Sequence, residues 1–271
     1  MRARTISFYK IQASGNDFVV IDHRKKSISN LKAFAARVCP VHTGIGADGV
    51  LVIEKSATVD FKARIFNSDG SEAEACGNGF RCVGRFAHDI LKFPAKMKFE
   101  SISGLITAEV KKEKVRVQLI QPRILEQDGG VSVCGEDFDY DFFNTGVPHV
   151  VIFWDKLEKA NIFEWGRAIR NHKQFAPKGT NVNFVKHRGG SKITVRTYER
   201  GVEDETQACG TGSTASALAA VIKFNVKSPV EVLTRGGEVL KVSFEFDAAG
   251  RPLKAFLEGG AHVVYEGKIK L

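Results

Sequence analysis

Two short stretches of this chain have almost the same sequence. Glu72–Gly79 reads EAEACGNG and Glu205–Gly212 reads ETQACGTG, so both fit the pattern E-x-x-A-C-G-x-G. Their cysteines, Cys76 and Cys209, lie 133 positions apart. One such motif could arise by chance, but a matched pair indicates that the chain contains a long internal repeat.

Two further segments upstream of these motifs extend the repeat. The aligned pairs are GADGVLV from Gly46 with GTNVNFV from Gly179, and GNDFVVI from Gly15 with GVPHVVI from Gly146. Because three segments recur in the same order at nearly constant spacing, we predict a duplication. We expect an N-terminal half over residues 1–130 and a C-terminal half over residues 131–271, with the last strands able to cross back to the first half.

The hydrophobic pattern predicts similar elements in each half. Apolar and polar residues alternate in Phe61–Phe66 and Lys192–Tyr198, as is typical of strands, just before each cysteine motif. A helix should follow each motif, the first with one apolar stripe that ends before Pro94, the second, Ser213–Phe224, apolar almost all round. Shorter helices are expected from Asn30 to Val38 and from Asn161 to His172, and further strands at Val115–Ile120, Glu231–Thr234, Val239–Phe246 and His262–Glu266. Because strands dominate, we predict an α+β fold of two pseudo-symmetric halves, each a mostly antiparallel sheet wrapped around a central helix.

The composition excludes several classes of protein. Of the 271 residues, 43% are hydrophobic, and charges interrupt every apolar run well before the ~18 residues that span a membrane. Lys and Arg (40) exceed Asp and Glu (31), but the basic residues are scattered, which favours a solvated basic surface over a nucleic-acid partner. No apolar segment typical of a secretion signal follows Arg2 and Arg4, so we expect a cytoplasmic protein.

The five cysteines do not indicate a disulfide framework or a metal site. Their number is odd, and no secretion signal is found. Cys76 and Cys82 are six positions apart, unlike the close pairs of zinc sites, so no metal is expected. Cys39, Cys82 and Cys134 are interpreted as small buried hydrophobic residues. Cys76 and Cys209 need another explanation, because each lies in a repeated glycine-rich motif.

Each repeated cysteine is predicted at the N-terminal end of a helix, which has two chemical consequences. The helix N-terminus favours the thiolate, and the N–H groups of the same turn can bind a carboxylate. Two such loops facing each other across a cleft between the halves would place one sulfur on each side of a single carbon. A thiolate could then remove a proton from one face while a thiol delivers a proton to the other. Since the sequence shows no motif for pyridoxal phosphate and no metal cluster, we predict a racemase that uses two bases and no cofactor.

The same motifs closely resemble those of the diaminopimelate epimerase family, in order and over nearly the whole chain. The matching segments are Gly15–Phe18, Gly44–Gly49, Asn67–Cys82, Gly146–His149, Gly179–Asn181, Glu199–Gly201 and Ala208–Gly212. The resemblance implies interconversion of LL- and meso-2,6-diaminopimelate, on the route to lysine and peptidoglycan precursors. It also implies a two-domain fold with the active site in the cleft, no cofactor and a homodimer.

Residue roles carry over position by position from this resemblance. Cys76 and Cys209 would be the acid–base pair, with His149 and Glu199 adjusting the pKa values of the thiols. The implied substrate ligands are Asn16, Asn67, Gly77, Asn78, Asn181, Glu199, Arg200, Gly210 and Thr211. The turns at Gly77-Asn78 and Gly210-Thr211 would hold the reacting α-carboxylate, and the forked guanidinium of Arg200 suits the distal carboxylate.

The chain departs from the commoner patterns of the family at a few positions. Gly49 stands where some members carry Gln, Val147 where Asn is often found, and Phe80 where Ala is usual. Glu203-Asp204 makes the loop before Cys209 one residue longer and more acidic. The cysteine pair is intact, so these changes concern the distal end of the substrate. We hypothesise that shorter amino acids such as glutamate are also accepted.

Several alternatives remain open from the sequence. A proline racemase-type enzyme or a broader amino-acid racemase of the same superfamily would share the architecture, although the proline group usually carries His where this chain has Asn78. A superfamily isomerase without the cysteine pair is disfavoured by Cys76 and Cys209. A thiol redox protein would explain paired cysteines, since two close sulfurs can form a disulfide. A nucleic-acid-binding module would explain only the charge.

Overall fold

The structure, a computed structural model, describes residues 5–25 and 28–270. Arg2 and Arg4, considered above for a secretion signal, lie outside these ranges. In the described residues, no helix combines the length and the apolar character needed to cross a membrane.

The chain folds into two compact units. Unit 1 contains the residues up to Gln118 together with those from Gly259 onward, and unit 2 contains Leu119–Glu258. The halves 1–130 and 131–271 were defined by the sequence repeat, and that division stays a prediction.

Unit 1 is a sheet with two helices, and its elements are numbered in chain order. They are β1 (Thr5–Ala13), β2 (Asn16–Asp22), α1 (Leu31–Val38), β3 (Gly49–Glu54), β4 (Phe61–Asn67), β5 (Glu72–Ala73), α2 (Gly77–Asp89), β6 (Lys96–Ser101), β7 (Gly104–Lys111), β8 (Lys114–Leu119) and β18 (His262–Lys270). Strands β18, β1 and β2 pair antiparallel, as do β3 with β4, β4 with the short β5, and β6, β7 and β8 in turn. The pairs β2–β3 and β4–β6 are parallel.

Unit 2 repeats this arrangement. Its elements are β9 (Arg123–Val133), β10 (Glu136–Asn144), β11 (Pro148–Phe153), α3 (Ile162–Arg170), β12 (Asn181–His187), β13 (Lys192–Glu199), β14 (Asp204–Thr206), α4 (Gly210–Phe224), β15 (Val230–Leu233), β16 (Val239–Phe246) and β17 (Pro252–Gly260), with 3-10 turns at Leu157–Lys159 and Lys173–Phe175. Strands β9, β10 and β11 pair antiparallel, as do β12 with β13, β13 with β14, and β15, β16 and β17 in turn. The pairs β11–β12 and β13–β15 are parallel.

Both units therefore have the same order of antiparallel and parallel pairs, and the predicted α+β fold with mostly antiparallel sheets is confirmed. In unit 1, α2 packs against β1, β2 and β7, while in unit 2 α4 packs against β11, β12 and β13. Each is the central helix of its unit. The two shorter helices, α1 and α3, begin where predicted, because the side chains of Asn30 and Asn161 cap them by accepting the N–H of Ala33 and Glu164.

The central helix α2 is more deeply buried than its single apolar stripe predicted. All of its residues from Gly77 to Ala87 are buried, including Arg81 and Arg85. Both guanidinium groups donate to backbone carbonyls of unit 1, Arg81 to Gly260 at the end of β17, which lies in unit 1, and Arg85 to Ala261. These hydrogen bonds explain why two charged residues are tolerated inside the unit.

The three cysteines outside the repeated motifs differ in environment. Cys39 and Cys82 are buried as predicted, and burial raises the pKa of the Cys39 thiol to about 11 and raises that of Cys82 further. The prediction was wrong for Cys134, which is exposed in the turn between β9 and β10 at φ 52°. The chain must reverse direction there, and a turn residue with positive φ lies at the surface.

The sheet registers correct the sequence alignment of the repeat by one residue. Phe18 pairs with Gly49 across β2–β3, and His149, the counterpart of Phe18, pairs with Asn181 across β11–β12. Gly49 is therefore the structural counterpart of Asn181, whereas the sequence alignment matches Asp48 with Asn181. In a strand this shift matters, because neighbouring residues point to opposite faces.

A repeated ion pair explains the glutamate that lies four positions before each motif cysteine. Arg64 of β4 donates Nε to Glu72 Oε1 at 2.7 Å and Nη2 to Glu72 Oε2 at 2.8 Å. Arg196 of β13 makes the same two contacts with Glu205, both at 2.7 Å. We call each pair an Arg–Glu clamp. It fastens the start of the cysteine loop to the long strand before it through two parallel hydrogen bonds.

We expect Glu72→Gln to lower the free energy of unfolding by about 1–2 kcal/mol, because the amide cannot accept both guanidinium hydrogen bonds in a partly buried site. The matched control is Glu158→Gln, which breaks an exposed ion pair with Lys186 and should leave stability unchanged. Urea denaturation followed by circular dichroism measures both. Equal effects of the two substitutions would show that the clamp adds no stability.

Candidate active site

In unit 1, Cys76 is the N-cap residue of α2. It is extended (φ −148°, ψ 110°), and its Sγ accepts the N–H of Gly79 at 3.3 Å. The thiol also lies within hydrogen-bonding distance of the side chain of Asn16, at 3.6 Å from Oδ1. The side chain is half-buried. The sulfur thus occupies the anion-favouring end of a helix, next to a predicted substrate ligand.

The other candidate ligands of unit 1 are held in different ways. Asn16 donates Nδ2 to Asp48 Oδ2 at 2.6 Å, which ties the end of β1 and β2 to the loop before β3. Asn67 is exposed and donates to Ser71 Oγ at 2.9 Å within the turn after β4. Asn78 is buried in the first turn of α2 and accepts from Arg81 at 2.7 Å. Arg81 also donates to Ser14 Oγ at 2.6 Å, so a buried cation fixes the amide of Asn78.

In unit 2, Cys209 has the same position at the start of α4. It is extended (φ −109°, ψ 114°), and its Sγ accepts the N–H of Gly212 at 3.4 Å. The second contact differs from that of Cys76, because Thr211 Oγ1 lies 3.5 Å from the sulfur. Cys209 is buried, with 7% of its surface exposed. The two motif cysteines therefore share their cap, and the side chain beside the sulfur is Asn16 at Cys76 and Thr211 at Cys209.

The glycine three residues after each cysteine is closely packed. A Cβ on Gly212 would lie 2.3 Å from Asn183 Oδ1 and 3.3 Å from the sulfur of Cys209. A Cβ on Gly79 would lie 3.3 Å from the Cβ of Cys76. At Gly212 the contact with Asn183 leaves no room for a side chain, whereas at Gly79 the neighbours would have to give by a few tenths of an ångström.

His149 is completely buried beside the Cys209 loop. Its Nε2 lies 2.9 Å from Thr211 Oγ1, and its Nδ1 lies 3.2 Å from Asn183 Nδ2. Burial, assisted by the positive charge of Arg200, lowers the pKa of His149 to about 3. The imidazole is therefore neutral at neutral pH. Asn183 was not singled out from the sequence, although its polar side chain inside the apolar run of β12 is the signal that could have indicated it.

Glu199, Arg200 and Asn181 lie together at the end of β13 and the start of β12. Arg200 N–H donates to Asn181 Oδ1 at 2.9 Å, and Glu199 Oε2 accepts from Thr206 at 2.9 Å. The guanidinium of Arg200 contacts the carbonyl oxygens of Lys178 and Gly179, and within residues 5–25 and 28–270 no carboxylate of the chain forms a salt bridge with it. The geometry leaves its positive charge available for an anion.

The glycine at position 49, where some members of the resembled family carry Gln, has a structural basis. A Cβ at this position would lie 2.4 Å from the carbonyl oxygen of Phe66, which is backbone and cannot rotate away. Gly49 is thus fitted to a close approach of β3 and β4, and a glutamine there would require the strand to shift. Among the described residues, no group of three or more His, Cys, Asp and Glu side chains is arranged to hold a metal ion.

Comparison with known proteins matches the chain to one family along most of its length. A family model described as diaminopimelate epimerase matches residues 8–131 and 142–255. The diaminopimelate epimerase of Aquifex aeolicus is 47% identical over 277 residues, covering 97% of this chain and 98% of that protein. The diaminopimelate epimerase of a Hydrogenobaculum species is 43% identical over 274 residues, covering 96% of this chain and 97% of that protein.

Solved structures with much lower sequence identity share the fold. A phenazine biosynthesis protein of the PhzF family from Bacillus anthracis matches with a TM-score of 0.77 at 15% identity, covering 99% of this chain and 100% of that one. A hydroxyproline epimerase from Agrobacterium vitis matches with a TM-score of 0.75 at 14% identity, covering 99% of this chain and 93% of that one. The family match, together with 47% identity to one of its members over nearly the full length, shows that this chain belongs to the diaminopimelate epimerase family.

Proposed function

We propose that this protein epimerises LL-2,6-diaminopimelate to the meso form and back, with Cys76 and Cys209 as its two bases. One observation supports this most directly. In a chain of the diaminopimelate epimerase family, each unit carries a cysteine that caps its central helix behind an Arg–Glu clamp. The reaction needs two equivalent proton carriers, and the repeat supplies one in each unit.

In the proposed mechanism, the reacting α-carboxylate binds to N–H groups of the turns at Gly77-Asn78 and Gly210-Thr211, where the helix N-termini favour an anion. One cysteine, as thiolate, takes the α-proton and becomes a thiol. The electron pair left on carbon is delocalised onto the bound carboxylate. The other cysteine, as thiol, gives its proton to the opposite face and becomes the thiolate. The enzyme then holds the state that runs the reverse reaction, so no external acid or base is consumed.

The remaining candidate residues would hold the distal end of the substrate. Arg200 is suited to the distal carboxylate because its forked guanidinium can make two parallel hydrogen bonds. Asn16, Asn67, Asn181 and Glu199 would supply polar contacts around the two ammonium groups and the remaining oxygens. The proposal requires no cofactor and no metal. It includes a homodimer working in the cytoplasm, on the route to lysine and peptidoglycan precursors.

His149 enters the proposal as a neutral residue. An imidazolium beside Cys209 would add a second proton donor to a site that must exchange one proton at a time. Burial instead keeps the ring uncharged over the whole neutral range. Its role is therefore to hold and polarise its neighbours rather than to donate a proton to the substrate.

The decisive experiment is incubation of LL-diaminopimelate with the purified protein in deuterated water. We expect deuterium at the α-carbon of the meso product, because the proton delivered to the new face comes from a thiol that exchanges with solvent. Cys76→Ala and Cys209→Ala should each abolish epimerisation without unfolding the protein. Near-normal turnover by either variant would contradict the mechanism with two bases. A protein that cycles a Cys76–Cys209 disulfide but exchanges no deuterium would instead be a thiol redox protein.

The same assay tests the strictness of distal recognition. Because Gly49 and Val147 offer no polar side chain, we expect slow deuterium incorporation into L-glutamate. L-Proline serves as the control and separates the proline racemase alternative, since it lacks the distal carboxylate that Arg200 would bind. No exchange into glutamate above buffer at high enzyme concentration would show that recognition of the distal end is strict.

The buried neutral His149 also predicts a pH dependence of stability. The pKa of His149 falls from 6.5 to about 3 on folding, so the stability gained from the neutral ring is present above pH 6.5 and is lost as the pH falls toward 3. Within this window the proton binds His149 in the unfolded chain but not in the folded one. The free energy of unfolding therefore falls by about 1.4 kcal/mol for each pH unit of acidification. The free energy of unfolding, measured by urea denaturation at several pH values between these limits, should change less steeply with pH for His149→Gln than for wild type. The exposed His42→Gln is the control, and equal slopes for His149→Gln and wild type would contradict the prediction.

A further inference from the structure

Three buried polar side chains of unit 2 form a line that ends at the sulfur of Cys209. The ring of His149 lies 2.9 Å from Thr211 Oγ1, measured from Nε2, and the same Oγ1 lies 3.5 Å from Cys209 Sγ. All three side chains are at least nine-tenths buried. In this line Thr211 Oγ1 links the ring of His149 to the sulfur of Cys209.

The hydrogen bonds around His149 fix the direction of this line. Thr197 Oγ1 donates to Asn183 Oδ1 at 3.0 Å, and Asn183 Nδ2 donates to the carbonyl of Val150 at 2.8 Å. The amide nitrogen of Asn183 therefore faces His149 Nδ1, which must be the acceptor. A neutral imidazole carries a single N–H, and here it lies on Nε2. That N–H donates to Thr211 Oγ1, so the hydroxyl proton of Thr211 points away from His149 and is available to Cys209 Sγ.

We infer that Thr211 is a positioning residue that donates its hydroxyl proton to Cys209 and so stabilises the thiolate, with His149 holding the hydroxyl in the donating orientation. This deepens the proposed function and rests on it. No proton is transferred along the line. His149 keeps its Nε2–H and Thr211 keeps its hydroxyl proton, and only the sulfur gains or loses a proton in the reaction. A hydrogen bond to the charged form of a group favours that form.

The repeat shows that the line belongs to one sulfur. The counterpart of His149 in unit 1 is Phe18, which has no hydrogen-bonding group, and the counterpart of Thr211 is Asn78. Asn78 receives its hydrogen bond from the buried cation Arg81. The side chains beside the two caps therefore differ, although both sulfurs accept the backbone N–H of the glycine three residues later.

The elements packed against α4 carry further titratable groups, while the first turn of α4 itself has no acidic residue. They are Glu136, Asp137, Asp139, Tyr140 and Asp141 on β10, His149 on β11, Lys186 and His187 on β12, Lys192, Arg196, Tyr198 and Glu199 on β13 with Arg200 directly after it, Glu231 on β15, and Lys241 and Glu245 on β16. Glu199 accepts a hydrogen bond from Thr206, and Arg200 contacts carbonyl oxygens. Burial and the charge of Arg200 oppose protonation of His149, and the ring therefore stays neutral with Nδ1 as an acceptor.

The test is the pH dependence of the reaction between the Cys209 thiolate and a thiol reagent, which needs no substrate. Full-length Cys76→Ala protein is treated with methyl methanethiosulfonate between about pH 6 and about pH 10, and modification of Cys209 is followed by peptide mass spectrometry. Thr211→Val keeps the side-chain shape and removes the hydroxyl. We expect it to raise the apparent thiol pKa by about one unit and to slow modification about tenfold below that pKa. Thr211→Ser keeps the hydroxyl and should keep the wild-type profile.

Two further variants separate the inference from a general loss of packing. Thr214→Val removes the hydroxyl that donates to the Gly210 carbonyl one turn along the same helix, and it should not move the profile. His149→Phe, which introduces the residue found at the matching position of unit 1, should shift the profile in the same direction as Thr211→Val, and the double variant should shift no further. An unchanged profile in Thr211→Val, an equal shift in Thr214→Val, or additive shifts in the double variant would each overturn the inference. Wild-type deuterium exchange with diaminopimelate decides the proposed function separately.

Discussion

The structure depends on a sulfur atom acting as the cap of a helix. Cys76 and Cys209 each accept a backbone N–H from the glycine three residues later, where helices more often use an oxygen of Ser, Thr, Asp or Asn. The capped position brings the sulfur to the positive end of the helix, which is where an anion is stabilised. It also restricts the sequence, because a side chain on Gly212 would meet Asn183 and the sulfur itself. The requirements of the fold and the requirements of a reactive thiol are met by the same four residues of each motif.

The duplication preserves whatever fixes the backbone and changes whatever contacts the sulfurs. Strand order, the parallel and antiparallel pairs and the Arg–Glu clamps recur in both units. The side chains that surround the caps do not, since Phe18 corresponds to His149, Asn78 to Thr211 and Arg81 to Thr214. Backbone geometry is therefore common to the two cysteine loops, while electrostatics is specific to each. This separation allows one backbone arrangement to place two thiols alike and still give them different surroundings.

The sequence predicted the parts of the molecule that depend on local pattern. Alternating strands, the capping Asn30 and Asn161 and the two cysteine loops are all encoded within a few residues, and all lie where expected. It did not predict the burial of Arg81, because the carbonyl that accepts its hydrogen bond lies far along the chain. It also missed the role of Asn183, because its contact with Val150 depends on the pairing of β11 with β12. The alignment was one residue out at Asn181, because the repeat spacing changes between segments and only the sheet register reveals it. Cys134 was misjudged because cysteine is usually buried, whereas this one occupies a turn.

The proposed reaction makes a particular demand that this asymmetry can meet. At any moment one sulfur must be charged and the other neutral, and after each turnover the two must exchange states. If either thiolate were stabilised far more than the other, one of the two resting states would be depopulated and one direction of the reaction would be slow. Beside Cys209 a neutral histidine acts through Thr211, whereas in the first turn of α2 the buried cation Arg81 holds the side chain of Asn78. The line from His149 brings no formal charge to the sulfur, so it stabilises the Cys209 thiolate without holding it there permanently. Moderate stabilisation of each thiolate is what a pair of interchangeable bases requires.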